Sequence, residues 1–253
     1  MVYTEHFVAF LDILGFKSII DATAKNPDEC ERISEILNYI ARVRTENYDN
    51  AKGVILNDVS VFSDSIVISY PVNLSIGGAL FHVLMDIVFI CIDLLSAGIF
   101  VRGGVTCGQM YHDKNICFGP AMIKAYKLES EVAKYPRVVV DECALKMGLK
   151  YPGGTNSVDL EEEFLSSLLC RDKAGILYLD FLSQHQEYND DETYICGIRK
   201  ARRCIKEQLA KNHPPQIQEK YIWFAKYYNR TVKKLFRKPY VDELKISFRR
   251  GRG

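Results

Sequence analysis

The sequence predicts an α+β fold: a mostly antiparallel sheet covered by helices on one face. Two observations point to it. Strand-like and helical segments follow one another in the order β, α, α, β, β, α, β, α, β, then a late strand and two helices. The second and third strands are joined only by the bend "SD", a hairpin that an all-parallel sheet would not contain. The length, 253 residues with 48% hydrophobic and 26% charged positions, suits a globular protein with a sizeable core.

Residues 6–13, within "HFVAFLDILGF", are β-branched and aromatic and end at a glycine turn, which predicts a strand. Segments 16–24 and 27–48 read as helices, the second capped by Asn26 with Pro27, Asp28 and Glu29 in its first turn. "GVILNDVSVFSDSIVISYP" gives two strands, 53–62 and 65–70, the second closed by Pro71. An apolar helix over 75–97 ends at Gly98. The strand 99–111, "IFVRGGVTCGQMY", follows, its glycines implying close backbone approach.

A helix over 119–133 begins at Pro120; a short strand (137–141), a short helix (142–148) and an acidic loop with some helix (153–172) come next. A last strand covers 174–183, and two helices, about 192–212 and 215–236, are separated by "HPPQ". The resulting division is a domain over 1–189 and a basic helical extension over 190–253 packed on it.

No basic, apolar and small-residue sequence of a signal peptide is seen at the start. The apolar stretch 74–101 is long enough to span a bilayer, but His82, Asp86 and Asp93 share one of its helical faces, so it reads as a core or interface helix. The eight cysteines are scattered, with no CxxC pair, which predicts reduced thiols in a cytoplasmic protein. Charge is segregated. Residues 197–253 hold 17 of the 33 Lys and Arg but 4 of the 32 Asp and Glu, a net +13, leaving −12 on the other 196. Attraction between the two parts, within or between chains, is the plainer reading; a nucleic-acid surface is the other, and nothing makes nucleic acid obligatory.

Two carboxylates stand out. Asp12 ends the first strand and Asp64 sits at the hairpin bend, each after an apolar run that fixes its backbone. If the strands are neighbours, both emerge at one sheet edge, where paired acidic oxygens suit Mg²⁺ or Mn²⁺. The alternative is that each caps a turn. Gly15, in "LGF", stands where backbone N–H groups at a helix start can face a phosphate, although it also serves as a turn residue. There is no GxxxxGK[ST] loop, GxGxxG fingerprint, HExxH or GxSxG. Arg102, inside an apolar strand, needs an anion, either substrate or an acidic side chain. Lys127 precedes Glu131 by four residues, the spacing of a solvated helical pair, or faces a substrate.

With these residues in view, the chain resembles the class III nucleotide cyclases. "FVAFLDILGF" is similar to their first metal motif, "VFSDSIVIS" to the second, "FVRGGVTCGQM" to the glycine-rich strand, and "CFGPAMIKAYKLES" to their G-x-x-x-N-x-A-x-R-x-x-S helix. The match runs in order over residues 5–141. Aligned on Gly119, Ala125 and Ser130, Ile123 stands at the catalytic Asn position and Lys127 at the transition-state Arg position. Ser60 stands at the base-reading Lys position, and the later partner Asp falls near Ile116. The metal half of the site is kept and the purine-reading half is absent. "FLDILGF", "FSDSIVIS", "VRGGV", "GPAMIKAY" and "YPRVVVD" look most like the Pycsar-type pyrimidine cyclases of bacterial anti-phage defence.

The resemblance implies a ferredoxin-like cyclase fold and a homodimer with active sites at its interface. It implies conversion of UTP, or alternatively CTP, to the 3′,5′-cyclic monophosphate and pyrophosphate, the product acting on a separate effector protein. Asp12, Asp64 and the Ile13 carbonyl would hold two divalent ions (Mn²⁺ or Mg²⁺). Gly15 and Phe16 would meet phosphate, Ser60 would meet the base, and Arg102 or Lys127 would supply the missing cation. A catalytically silent nucleotide-binding module and a nucleic-acid-binding protein are the competing classes.

Overall fold

The computed structural model describes residues 2–46, 48–49, 54–55, 57–113 and 116–248. Strand β1 (Thr4–Ile13) is apolar on both sides. Phe7, Ala9, Leu11 and Ile13 face the main core, while Val8 and Phe10 face a second, smaller one. A strand buried on both faces must also have both edges paired, since its backbone polar groups are out of reach of water. β5 (Ser65–Pro71) and β6 (Val101–Asp113) supply those edges, both antiparallel.

Between them in the chain come helices α1 (Phe16–Thr23) and α2 (Pro27–Glu46) and the small hairpin β2 (Tyr48–Asp49) with β3 (Val54–Ile55). β4 (Asp58–Phe62) then pairs with β5. The order β6-β1-β5-β4 is that of a ferredoxin-like βαββαβ unit. The sheet continues past β6 through β8 (Val138–Val140), its one parallel neighbour, to β10 (Leu177–Leu179) and β9 (Leu169–Arg171); β7 (Ile116–Phe118) pairs off the end of β6. The fold is thus a mixed α+β architecture on a mostly antiparallel eight-stranded sheet.

Helices cover both faces, not one. α3 (Ala79–Ser96) lies in the main core, with Leu80, Val83, Leu84, Ile87, Val88, Cys91 and Leu94 buried. α4 (Pro120–Lys127), continued by a π-helical turn over Leu128–Val132, lies on the opposite face, where Ala121 and Ala125 close over Val8, Phe10, Val67 and Met110. The cover follows from β1, whose second apolar face has to be shielded. Among the described residues α3 is the one helix long and apolar enough to cross a membrane. Its Asp86 is buried, accepting hydrogen bonds from Tyr70 Oη (2.8 Å) and Asn57 Nδ2 (3.2 Å).

α5 (Glu142–Lys150) is capped by Asp141, α6 (Val158–Leu168) by Ser157, and α7 (Asp191–Ala210) by Asp190. α8 (Pro215–Leu235) and the short α9 (Tyr240–Leu244) are the last helices among the described residues. α7 and α8 share the main core with the sheet: Phe224 meets Phe100 and Phe181 edge-on or stacked at 5.3 and 6.2 Å, and Tyr227 Oη donates to buried Asp180 at 2.9 Å.

Boundaries shift where local chemistry differs from periodicity. α3 begins at Ala79, after the Gly77–Gly78 turn, and β10 stops at Leu179, where a 3₁₀ turn over Phe181–Ser183 begins. The expected strand from residue 53 divides into β3 and β4; residues 53 and 56, and residue 47 of the expected helix, lie outside the described residues.

The internal glycines of β6 mark close approach. A Cβ on Gly103 would stand 2.7 Å from Phe10 O and one on Gly104 2.7 Å from Ala125 O. Gly104 is therefore what lets α4 seat on the sheet. Gly104→Ala should lower stability by about 3 kcal/mol, measured as the urea midpoint at unchanged m-value; a midpoint equal to wild type would show that α4 gives way freely.

Candidate functional site

β1 and the β4–β5 hairpin end together. Asp12 is in register with Ser65 on one side and Arg102 on the other, and Ile13 N–H donates to Asp64 O at 3.0 Å. That main-chain bond fixes the two carboxylate-bearing backbones at one sheet edge. Ser63, in the two-residue loop between β4 and β5, holds φ 58°, a left-handed conformation that turns the hairpin tightly.

Arg102 reaches over this edge from β6. Its Nε donates to Asp12 Oδ2 at 3.0 Å and stands 2.5 Å from Glu129 Oε1. The Nε proton points to one of the two oxygens. It is aligned on Asp12, leaving the Glu129 oxygen near positive charge but without a hydrogen bond. Glu129, buried in the π-helical turn, has its pKa pushed up to about 7, chiefly by burial, against the pull of Arg102. Burial likewise raises Asp12, with Arg102 opposing and the Asp64 charge adding to the rise. Lys220 of α8 also feels Asp12 and Glu129; burial first, then Arg102, lowers its pKa.

Beside Asp12 the chain turns at Gly15, φ 76°, and enters α1 at Phe16. The Ser18 and Ile19 N–H groups donate to Gly15 O at 2.9 and 3.3 Å, so Phe16 and Lys17 carry the N–H groups that a helix start leaves without an intrahelical acceptor. Ser60 lies on β4, four residues before Asp64, with Oγ 2.9 Å from His112 Nε2; His112 Nδ1 lies 2.7 Å from Ser69 Oγ. Whichever ring nitrogen carries the proton donates to one serine and the other accepts, which orients the Ser60 hydroxyl. Lys127 is exposed at the end of α4, and no ion pair of Lys127 occurs among the described residues. Its neighbour Tyr126 packs edge-on against Phe10 at 5.4 Å.

The structure thus gathers Asp12, Ile13, Asp64, Arg102, Gly15 and Phe16 at one edge. Ser60 lies further along the same hairpin and Lys127 on the covering helix. Glu129 and Lys220 join the site without having been expected. Glu129 was visible in principle, because it continues the buried i+4 stripe Ala121, Ala125 that ends at Ala133, and a carboxylate on such a stripe is anomalous.

The donor set fits a hard divalent cation in part. Asp64 has no ion-pair partner among the described residues, and a bound cation would relieve its repulsion with Asp12. Among the described residues no three His, Cys, Asp or Glu side chains converge to cage a metal alone. Two carboxylates and a carbonyl leave positions for water or phosphate, as Mg²⁺ sites commonly do.

No family model matches the sequence, and no curated protein does. Among solved structures, 45 chains match. One is the catalytic core of a rhodopsin-guanylyl cyclase with converted specificity in complex with ATPalphaS: 16% identity, 58% of this chain, 82% of that chain, TM-score 0.38. Another is a class III adenylyl cyclase-like ATP-binding protein from Pseudomonas aeruginosa: 10% identity, 64% of this chain, 40% of that chain, TM-score 0.41. At these values neither likeness assigns a family or a chemistry to this chain.

The site's electrostatics have a measurable sign. A carboxyl whose folded-state pKa is raised from 4.5 to about 7 favours the folded state at low pH, and that contribution is lost as pH rises from 4.5 through 7. The loss for Glu129 is on the order of 3 kcal/mol. Glu129→Gln should remove most of that slope, read as unfolding free energy between pH 4.5 and 8. An unchanged slope would place the titration elsewhere.

Proposed function

We propose that the chain is a nucleotide cyclase that converts UTP to 3′,5′-cyclic UMP and pyrophosphate, CTP being the alternative substrate. In this reading its product is a second messenger for a separate effector protein in anti-phage defence. The observation that carries the cyclase reading is the meeting of Asp12 and Asp64 at one sheet edge, next to the start of α1. The pyrimidine preference rests on the sequence resemblance, above all on Ser60 where purine cyclases hold a lysine.

Asp12, Asp64 and the Ile13 carbonyl are the residues that would hold two divalent ions. When bound, such ions acidify the ribose 3′-hydroxyl and draw charge from the triphosphate. The Phe16 and Lys17 N–H groups, at the positive end of α1, donate to phosphate oxygens. Arg102 exchanges a carboxylate partner for a phosphate oxygen as substrate arrives, and Ser60, oriented by His112, offers a hydrogen bond to the base. The new bond joins O3′ to the α-phosphorus, and the bond to the β-phosphate oxygen breaks. Catalysis is positioning and electrostatics.

A homodimer suits the exposed apolar side chains on and beside α4. Ile123 is 59% exposed and Tyr126 51%, and Phe62, next to the Asp64 turn, is 83% exposed. Lys127 is exposed next to Tyr126 at the end of α4, and in this reading a partner subunit brings it to the neighbouring site as the cation replacing the family's arginine. The second reading, a catalytically silent nucleotide-binding module, has one observation of its own: Arg102 already neutralises Asp12.

Incubation with each of the four nucleoside triphosphates and Mn²⁺, with products read by chromatography and mass spectrometry, decides between them. Cyclic UMP is the expected product. Asp12→Ala and Asp64→Ala should each cut the rate by about 10³-fold, with the fold retained by circular dichroism. No pyrimidine cyclic product at any enzyme concentration would overturn the proposal, and nucleotide binding without turnover would favour the silent module.

A further inference from the structure

The basic C-terminal segment folds around a built cleft remote from Asp12 in the chain. Buried Asn229 of α8 pairs with the main chain of Ile246 as a strand would: Nδ2 donates to Ile246 O and Ile246 N donates to Oδ1, both at 2.8 Å. This anchors residues 245–248 alongside α8 and leaves a cleft of about 630 Å³ between them. Lys226, Arg230 and Lys233, at helical spacings of four and three, line one wall; Lys245 lines the other. Ile246, itself buried, and Phe248, 42% exposed, line the same cleft. A second cleft, about 620 Å³ and carrying Lys206, shares Ile246, Ser247 and Phe248 with the first.

The cations of the cleft are not neutralised from within the segment. Its four acidic residues are engaged elsewhere: Glu207 with Arg203 at 3.9 Å, Glu219 with Tyr135 Oη at 3.1 Å, Asp242 with Lys238 at 3.9 Å and Glu243 with Arg199 at 2.9 Å. No acidic side chain among the described residues lines either cleft. Arg230 donates to Tyr178 Oη, and no ion pair of Lys226, Lys233 or Lys245 occurs among the described residues. The sequence after Phe248 adds Arg249, Arg250 and Arg252 among glycines, a composition suited to phosphate backbones.

We infer that this cleft binds single-stranded nucleic acid, its phosphates on Lys226, Arg230, Lys233 and Lys245 and a base stacked on Phe248. Successive cations along α8 are about 4.5–6 Å apart in axial rise, a spacing that tracks a flexible backbone. The exposed Phe248 ring distinguishes the cleft from a solvated charged face. It favours a strand with free base faces over a duplex or an acidic peptide.

The test is fluorescence anisotropy of the full chain with a labelled oligonucleotide of about 12 nucleotides, repeated over a salt series. Binding is expected at low salt. The triple variant Lys226→Ala, Lys233→Ala, Lys245→Ala should lose roughly tenfold or more in affinity and about 2 in the log–log salt slope. A charge-matched control, Lys134→Ala, Lys200→Ala, Lys211→Ala, should keep both. Phe248→Ala should weaken the oligonucleotide but not heparin, which has no bases. All six lysines are exposed, and circular dichroism checks that each variant is folded. The inference is overturned by no binding at low salt, by equal losses in the two triple variants, by tighter binding of the same oligonucleotide when annealed to its complement, or by a Phe248→Ala variant indistinguishable from wild type.

Discussion

Arg102 has a single Nε proton and two carboxylates within reach of it. The alignment on Asp12 leaves Glu129 buried, close to a positive charge and without a hydrogen bond. Such a group lowers its cost by holding a proton, which is why burial carries Glu129 towards neutrality, while for Asp12 burial is opposed by the hydrogen bond and charge of Arg102. Anything that takes Arg102 away from Asp12 frees its proton for Glu129, and anything that neutralises Asp12 has the same effect. The two acids and the arginine therefore respond together, and a phosphate or a cation arriving at the edge is felt in the π-helical turn.

That arrangement depends on how firmly β1 is held. Its backbone is paired on both edges and its side chains are packed on both faces, so Asp12 has almost no freedom except at its carboxylate. Asp64 is less confined: a left-handed Ser63 precedes it, and the Ile13–Asp64 main-chain bond secures its backbone while leaving its side chain free of ion pairs among the described residues. A rigid acid beside an adaptable one is a sound basis for a site whose occupant changes charge during a reaction.

Much of this was legible in the sequence because local signals agreed with the fold. β1, α2 with its Asn26 cap, the "SD" hairpin, the Pro120 start of α4 and the paired prolines before α8 all follow from periodicity and punctuation. Asn26 Oδ1 does accept the Asp28 N–H at 3.1 Å. The two-sided helical cover departs from the single covered face expected from the sequence, although the unbroken "FVAFL" of β1 leaves no face polar. What sequence could not give was set by distant partners. β7 and β9 are three-residue strands that exist only as additions to existing edges. Lys220 owes its place to the docking of α8, not to any pattern around it.

The C-terminal helices also change the meaning of the charge asymmetry. Direct ion pairing between the basic segment and the acidic remainder is sparse, with Lys234 to Asp180 at 3.5 Å a clear instance. The contact is instead largely apolar and aromatic, through Phe100, Phe181, Tyr221 and Phe224. Hydrophobic burial thus holds the segment in place and leaves most of its positive charge facing outward. α8 runs from Lys220, within the field of Asp12 and Glu129, to Lys233 at the basic cleft, about 20 Å further along one helix. The same element that completes the candidate site therefore also bears the surface most suited to a polyanion.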